Sequence, residues 1–231
     1  MINVTVHLSR IDDAAIAAHR HLLSTDEIAM AGRFLRKEDG ELFSMGRVQR
    51  RLVLSEYLGI EPALMEFTLG EFGKPFLRNA NVPRVSFNSS HCSGRVAVAV
   101  AAGALDIGVD IERLNRDVSD TLMHANLSAG EQGWLRTLPP PARPAGFMRL
   151  WTCKEAVMKA SGLGLQLDPS TIDLEPEAQA LVSLPAALGD PRDYLLVSQI
   201  LPDGFGLATC VHGAGTRGIE VRICEDQWPR D

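Results

Sequence analysis

The segment between residues 147 and 161 shows the apolar spacing of a helix. Four apolar residues fall at positions i, i+3, i+7 and i+10, namely Leu150, Cys153, Val157 and Ala160. At about 3.6 residues per turn these side chains form one stripe, which predicts an amphipathic helix. Gly162 and Gly164 follow, and glycine is typical of the end of a helix.

Another face of this predicted helix carries a charged pair. Trp151, Glu155 and Lys159 follow one another at intervals of four residues, so the carboxylate and the ammonium group lie one turn apart on the same side. One interpretation is a solvated Glu–Lys pair that adds roughly 0.2–0.5 kcal/mol to the stability of the helix. The other is a functional pair, and a second acidic pair about forty residues upstream favours it.

That second pair lies on a predicted strand between residues 105 and 112. Ile107, Val109 and Ile111 alternate with Gly108, Asp110 and Glu112. On a strand the two sets face opposite ways. Two carboxylates at this spacing have Cα atoms roughly 7 Å apart, and they repel each other unless a cation lies between them. Such an all-oxygen site suits Mg²⁺. The alternative is an exposed strand end with two acids in water.

The remaining pattern predicts an α+β protein with two halves of similar size. Helices are predicted at 12–23, 40–58, 119–137 and 147–161, and strands at 2–8, 64–69, 85–91, 95–101, 105–111, 171–174, 180–184, 194–201, 206–212 and 219–224. Ser24 and Glu27 have the spacing of a capping box, which predicts another helix start. Gly103 and Ala104 can turn the chain, so we expect the strands on either side to pair as a hairpin. We place the joint there and predict two halves, 1–103 and 104–231.

Composition narrows the class of protein. The chain has 231 residues, of which 45% are hydrophobic and 23% charged, as in ordinary globular proteins. No apolar run reaches the roughly 18 residues of a membrane helix, and the first residues lack the pattern of a signal peptide. We therefore expect a cytoplasmic protein without a membrane partner. The net charge of −6 argues against broad binding to nucleic acid.

Cysteine spacing bears on metal and redox sites, and local charge bears on the binding of a phosphorylated ligand. No two of the four cysteines have C-x-x-C spacing, so neither a zinc site nor a redox dithiol is predicted. Residues 33–51 hold six basic and three acidic side chains, a local charge of +3 (6 − 3). This segment is either a solvated basic helix face or a site for a phosphorylated ligand.

Four motifs in a fixed order point to one family. Gly73, Lys74 and Pro75 come first, followed by F-N-S-S-H at 87–91, G-V-D-I-E at 108–112 and W-T-C-K-E-A-V-M-K at 151–159. From about residue 33 to residue 165 the chain resembles the Sfp-type 4'-phosphopantetheinyl transferases. The resemblance implies two pseudosymmetric α+β halves with the site in the cleft between them. It also implies a monomer.

The resemblance implies a transferase of the holo-[acyl-carrier-protein] synthase type. Such enzymes move the 4'-phosphopantetheine arm of coenzyme A to a serine of an acyl or peptidyl carrier protein and release 3',5'-ADP. The N-terminal half would contact the coenzyme A nucleotide, and the C-terminal half would hold the metal and the catalytic residues. The metal would be Mg²⁺, with Mn²⁺ as the alternative.

Residue roles follow from the same resemblance. Asp110, Glu112 and Glu155 would bind the metal, and Lys159 would reach a phosphate on it. Glu155, or otherwise Glu112, would take the proton of the carrier serine, and we favour Glu155. The coenzyme A contacts besides Lys159 would be Arg51, Lys74, Ser90 and His91.

Some features depart from the family or stay open. Many relatives carry a basic residue just before the position of Phe34, for the 3'-phosphate of coenzyme A, but here no basic residue precedes Arg33 in that stretch. This contact would therefore shift to Arg33 or Arg36. The alternatives for the whole chain are a non-catalytic protein that binds carrier or coenzyme A, and a metal-dependent phosphohydrolase.

The carrier-docking surface is expected between the two acidic motifs. Leu122, Met123 and Leu127, with Met148 nearby, would either form an apolar patch for a carrier helix or face the core of the protein.

Overall fold

The computed structural model describes residues 2–10, 13–178, 180–213 and 218–225 of the chain. In chain order its elements are β1 (Ile2–Arg10), α1 (Asp13–His19), α2 (Thr25–Ala31), α3 (Lys37–Leu58), β2 (Phe67–Leu69), β3 (Pro75–Leu77), β4 (Val85–Cys92), β5 (Arg95–Ala102), β6 (Asp106–Arg113), α4 (Asp120–Asn126), α5 (Ala129–Thr137), α6 (Arg143–Ser161), β7 (Asp173–Glu175), β8 (Ala180–Ser183), β9 (Tyr194–Ile200), β10 (Phe205–His212) and β11 (Ile219–Glu225). This mixture of helices and strands confirms the α+β prediction. Pseudosymmetry of two halves and a cleft between them stay predictions.

The chain divides into two units. The first contains Met1–Ala104 and Ile219–Asp231, and the second contains Leu105–Gly218. The predicted joint near residue 103 lies next to the observed one. The C-terminal strand was expected in the second half, but it belongs to the first unit, because β11 runs parallel to β1. Arg95 strengthens this attachment by donating two hydrogen bonds to the carboxylate of Glu225, at 2.9 and 3.0 Å.

Within the described residues, the first unit has a four-stranded sheet in the order β11-β1-β5-β4. Its central strand β5 alternates valine and alanine and is buried from Arg95 to Ala101, as expected for a strand that is covered on both faces. The long helix α3 packs on the valine face through Met45 and Leu54. It ends where Gly59 adopts a φ of 65°, a left-handed conformation that favours glycine.

The second unit, in its described part, has a three-stranded antiparallel sheet in the order β6-β10-β9. The expected hairpin between β5 and β6 is wrong, because β5 pairs with β1 and β4 whereas β6 pairs with β10. Sequence alternation identified both strands, but it does not encode which strand lies beside which.

Helix α6 covers the second sheet. The predicted stripe is buried, with Leu150, Cys153, Val157 and Ala160 each at most 1% exposed. The helix begins at Arg143, earlier than predicted, since proline is tolerated in the first turn of a helix and Pro144 occupies that turn. No helix in the described ranges is both long enough and apolar enough to span a bilayer.

A buried charge cluster fastens α2 to α3 in the first unit. The predicted capping box is confirmed, because Glu27 accepts a hydrogen bond from the Ser24 N–H while Ser24 Oγ accepts one from Glu27. The same carboxylate pairs with Arg51 at 2.7 Å and with Arg50 at 3.2 Å. The Arg50 guanidinium also lies over the ring of Phe67, 4.1 Å from its centroid, in a cation–π contact.

Burial and charge compete in this cluster. Burial alone would raise the pKa of Glu27, but the Ser24 N–H bond and the guanidinium groups of Arg51 and Arg50 outweigh it and hold the pKa below its usual value. Burial lowers the pKa of Arg50 to about 9, and the nearby Arg47 adds to that shift. Removal of the carboxylate would therefore leave buried positive charges without compensation.

We expect Glu27→Gln to lower the free energy of unfolding by about 3–5 kcal/mol, as for other broken buried ion pairs. Urea unfolding at pH 7 measures this loss. The matched control is Glu38→Gln, whose carboxylate contacts Arg36 at the exposed surface and should change stability by less than about 1 kcal/mol.

The effect should depend on pH with a defined sign. A carboxyl with a lowered folded-state pKa stabilises above its unfolded pKa, and this contribution is lost as the pH falls through the lowered value. The difference between wild type and Glu27→Gln should therefore shrink in acid. A difference as small as that of Glu38→Gln at pH 7 would contradict the proposed role of the cluster.

Candidate active site

Three predicted site residues meet in the second unit, and a fourth lies on the same strand as one of them. Asp110 lies on β6 and is buried, whereas Glu155 and Lys159 lie one turn apart on the half-buried side of α6. The Lys159 ammonium donates to Asp110 Oδ1 at 2.6 Å and lies 4.0 Å from Glu155 Oε2. Glu112 follows on the same face of β6, and its carboxylate lies 3.9 Å from Arg116 Nη1. The solvated Glu–Lys interpretation therefore does not hold for Lys159, since its shorter contact is with the buried Asp110.

A glycine allows this close approach of strand and helix. A Cβ atom on Gly108 would lie 2.0 Å from the backbone oxygen of Ala156 and 2.4 Å from the nitrogen of Ala160. Both distances are far below van der Waals contact. The glycine of the G-V-D-I-E motif therefore lets β6 lie directly on α6, and Asp110 reaches Lys159 as a result.

The electrostatics of the cluster centre on Glu155. Its pKa is raised, first by burial and then by the nearby carboxylates of Asp110 and Glu112, while the Lys159 ammonium opposes the shift. A cation among these carboxylates would lower the energy of their charged forms. Because the pKa of Glu155 is raised in the folded state, its contribution to the free energy of unfolding falls as the pH rises from the ordinary pKa of glutamate through the raised value.

The donor set fits a hard divalent cation in its chemistry. Three carboxylates on adjacent elements supply the oxygen ligands that Mg²⁺ prefers. Their side chains are not arranged as a ligating cluster, however, since no group of three or more His, Cys, Asp or Glu residues positioned to hold a metal occurs in the described part of the chain. In this arrangement the positive charge beside Asp110 is the Lys159 ammonium.

Sequence reasoning missed a residue on the buried side of α6. Lys154 is 0% exposed, and its ammonium lies 2.6 Å from Glu131 Oε2, whose side chain is also fully buried. Burial lowers the pKa of Lys154, and the hydrogen bond and charge of Glu131 oppose the shift. The signal was present in the sequence, because Lys154 follows Leu150 by four residues and precedes Val157 by three, within the apolar stripe.

The first unit holds the other predicted ligand contacts. Ser90 and His91 are adjacent on β4, with Ser90 buried and His91 exposed. The His91 ring lies against α3, where a Cβ atom on Gly46 would be 2.9 Å from its Cδ2 atom. Lys74 is half-buried in the turn between β2 and β3, and its carbonyl accepts the Gly70 N–H at 2.8 Å.

Arg51 has a structural role. Its guanidinium is 3% exposed and donates to Glu27, to the Pro62 carbonyl at 3.1 Å and to the Met65 carbonyl at 2.7 Å. These bonds use four of its five N–H groups. The contacts thus favour an internal function over binding of coenzyme A.

The expected docking surface is only partly exposed. Leu122 is 50% exposed, but Met123, Leu127 and Met148 are buried and belong to the core of the second unit. For these three residues the core-facing alternative is confirmed.

Comparisons with known proteins identify one class of transferase. The sequence model of the 4'-phosphopantetheinyl transferase superfamily matches residues 106–210. The model named 4'-phosphopantetheinyl transferase, N-terminal, matches residues 12–103. The chain therefore carries matches to this one class of transferase on both sides of the joint between its units.

Individual relatives are similar over most of the chain. The 4'-phosphopantetheinyl transferase HetI of Nostoc sp. strain PCC 7120 is 33% identical, with 93% of this chain and 91% of the relative covered. A 4'-phosphopantetheinyl transferase of Bacillus subtilis is 30% identical over 88% of this chain and 89% of its own length. The 4'-phosphopantetheinyl transferase Sfp of Bacillus subtilis strain 168 is 28% identical, with 81% of each chain covered.

The protein is thus a phosphopantetheinyl transferase by class. More narrowly, the chain belongs to the Sfp-type 4'-phosphopantetheinyl transferase family, which confirms the resemblance seen in its motifs.

We expect Gly108→Ala to separate β6 from α6 and to disrupt the contact of Lys159 with Asp110. The new methyl group would meet backbone atoms of α6, which cannot rotate away as a side chain can, and such overpacking typically costs about 1–3 kcal/mol or more. Thermal unfolding and an assay of transfer measure the two effects.

The matched control is Gly133→Ala in α5. A Cβ atom there has no neighbour within 4 Å, and alanine is the better helix former by about 1 kcal/mol. This variant should keep or gain stability. If Gly108→Ala behaved like Gly133→Ala in both measurements, close packing of strand and helix would not be what places the acidic pair.

Proposed function

We propose that this enzyme transfers the 4'-phosphopantetheine arm of coenzyme A to a serine of an acyl or peptidyl carrier protein and releases 3',5'-ADP. The observation that carries the proposal is the cluster of Asp110, Glu155 and Lys159, held on adjacent elements in a chain of this transferase family. Two acids, one buried and one half-buried, beside an ammonium group suit the cleavage of a pyrophosphate, where negative charge grows on the leaving oxygen.

Asp110, Glu112 and Glu155 would hold Mg²⁺, with Mn²⁺ as the alternative. When bound, the cation supplies positive charge to the pyrophosphate that is cleaved. Lys159 would then donate to a phosphate oxygen, since its ammonium already lies at the carboxylates that would hold the metal. We therefore assign Lys159 a role in both substrate binding and charge stabilisation.

The proton of the carrier serine would go to Glu155. The serine oxygen forms a bond to the phosphorus of the pantetheine-bearing phosphate, and the bond from that phosphorus to the bridging oxygen breaks. The leaving group is 3',5'-ADP. Glu155 lies one helical turn from Lys159, which would hold the phosphate, so its carboxylate is placed to accept the proton. Glu112 is the alternative base.

The nucleotide of coenzyme A would contact the first unit through Lys74, Ser90 and His91. Arg51 is left out of this set, because its hydrogen bonds are internal. A cavity of about 760 Å³ in this unit has Arg20, Lys37, Glu41 and Ser44 in its lining, and Lys37 already pairs with Glu41 at 2.8 Å. Arg36 is a weaker candidate for the 3'-phosphate, since Glu38 and Asp39 already lie within 4.0 Å of its guanidinium.

Carrier docking would involve Leu122 on α4. Close by, a cavity of about 170 Å³ has Arg136, Arg143 and Asp120 in its lining together with the buried Met123 and Leu127. Two basic side chains near the exposed Leu122 suit an acidic carrier helix that carries an apolar residue. The cytoplasmic location, the monomeric state and the lack of a nucleic-acid partner stay predictions.

We expect Glu155→Gln to reduce the rate of transfer by about 100-fold or more, because the amide cannot accept the serine proton. Glu155 is half-buried and Gln is its isostere, so thermal stability should be kept. The control is Glu175→Gln on β7, an exposed position, which should retain full activity. Near-normal transfer by Glu155→Gln would remove this residue from the mechanism.

The same assay, run with coenzyme A and no carrier, separates transfer from hydrolysis. The proposal predicts that wild-type protein leaves coenzyme A intact under these conditions. Rapid release of 3',5'-ADP without carrier would instead identify a phosphohydrolase.

A further inference from the structure

We propose that Lys154 is a positioning residue, whose buried contacts fix the rotation of α6 and thereby set where Glu155 lies. The inference rests on the proposed function of Glu155. Lys154 itself is 0% exposed, so it touches neither substrate nor metal.

The Lys154 ammonium lies in a cage of four oxygen atoms. It donates to the carbonyls of Ile172 at 2.7 Å, Pro169 at 2.8 Å and Asn126 at 3.1 Å. Glu131 Oε2 lies at 2.6 Å. An ammonium group has three N–H donors, so the cage satisfies all of them without water.

The cage ties α6 to several other elements. Asn126 is the last residue of α4, Glu131 lies on α5, and Pro169 and Ile172 lie in the segment before β7. One side chain therefore fixes α6 against three parts of the second unit that are separate in sequence.

Glu131 is held as tightly as Lys154. Its Oε1 accepts the Leu174 N–H at 3.1 Å, and its Oε2 accepts the Ser128 N–H at 2.8 Å. The second bond is half of a capping box at the start of α5. Glu131 thus cannot follow Lys154 if α6 turns, and the pair acts as a fixed point.

Glu155 lies between two fixed neighbours. Lys154 precedes it and is held in the cage. Ala156 follows it and packs against Gly108, so closely that a Cβ atom on Gly108 would lie 2.0 Å from the Ala156 carbonyl oxygen. Successive side chains on a helix point about 100° apart. With both neighbours held, the direction of Glu155 is set, and it points to the side where Lys159 meets Asp110.

The test uses a double variant, because Lys154→Met alone would leave the Glu131 carboxylate buried without its partner and would risk unfolding. Glu131→Gln combined with Lys154→Met removes both charges, and Gln matches Glu in length whereas Met is one atom shorter than Lys. Replacing both members of a buried pair is often tolerated. The control is Glu220→Gln with Arg222→Met, the same chemistry on an exposed pair of β11.

Three readouts separate positioning from simple stability: thermal unfolding, the affinity for Mn²⁺ followed by electron paramagnetic resonance with coenzyme A present, and kcat and KM for the carrier. We expect the double variant to stay folded. It should bind Mn²⁺ about 10-fold to 100-fold more weakly and lose kcat by a similar factor, because removing the residues that hold metal ligands in place typically has effects of this size. KM for the carrier should stay within about twofold, since Lys154 is remote from solvent.

A folded double variant with wild-type Mn²⁺ affinity and kcat would overturn the inference. If the double variant does not fold, Glu131→Asp decides, because it keeps the charge pair but shortens the carboxylate by one methylene. Its Mn²⁺ affinity and kcat should fall, and unchanged values would overturn the inference. Wild-type protein that transfers nothing would instead reject the proposed function.

Discussion

The placement of the acidic cluster depends on how closely α6 lies on β6. Gly108 allows that distance, since any side chain there would collide with the backbone of Ala156 and Ala160. Asp110, two residues along the strand, then reaches the Lys159 ammonium at 2.6 Å. The Lys154 cage holds the same helix against α4, α5 and the segment before β7. The chemistry assigned to Glu155 needs both constraints, because proton transfer and metal binding tolerate little error in position.

The first unit uses buried charge in a different way. Glu27 caps α2 and pairs with Arg50 and Arg51 of α3. These arginines were part of the basic segment that suggested a phosphate site. In the structure the basic side chains of that segment differ in exposure, since Arg50 and Arg51 are buried whereas Arg36 is exposed. A local charge count cannot distinguish the two cases, because it ignores which side of the helix each residue occupies.

Local structure was largely predictable, and strand partners were not. The alternation in β5 and β6, the stripe of α6 and the capping box at Ser24 all follow from periods of two or 3.6 residues and from one side chain bonding a nearby backbone. The pairing of β11 with β1 joins opposite ends of the chain, and no local pattern encodes it. For the site, the motifs predicted Asp110, Glu155 and Lys159. The position of Lys154 within the helical pattern indicated its burial and was overlooked, whereas its cage of three backbone carbonyls and Glu131 is visible only in the fold.

The most direct test of the central claim is the intact mass of an apo carrier protein after incubation with this protein, coenzyme A and Mg²⁺. Our account predicts that the carrier gains the mass of one phosphopantetheine arm, and that EDTA prevents the gain. No gain across several carriers of different types, with binding of coenzyme A intact, would contradict the account. Such a result would mean that the chain keeps the family's sequence motifs but serves as a binding protein.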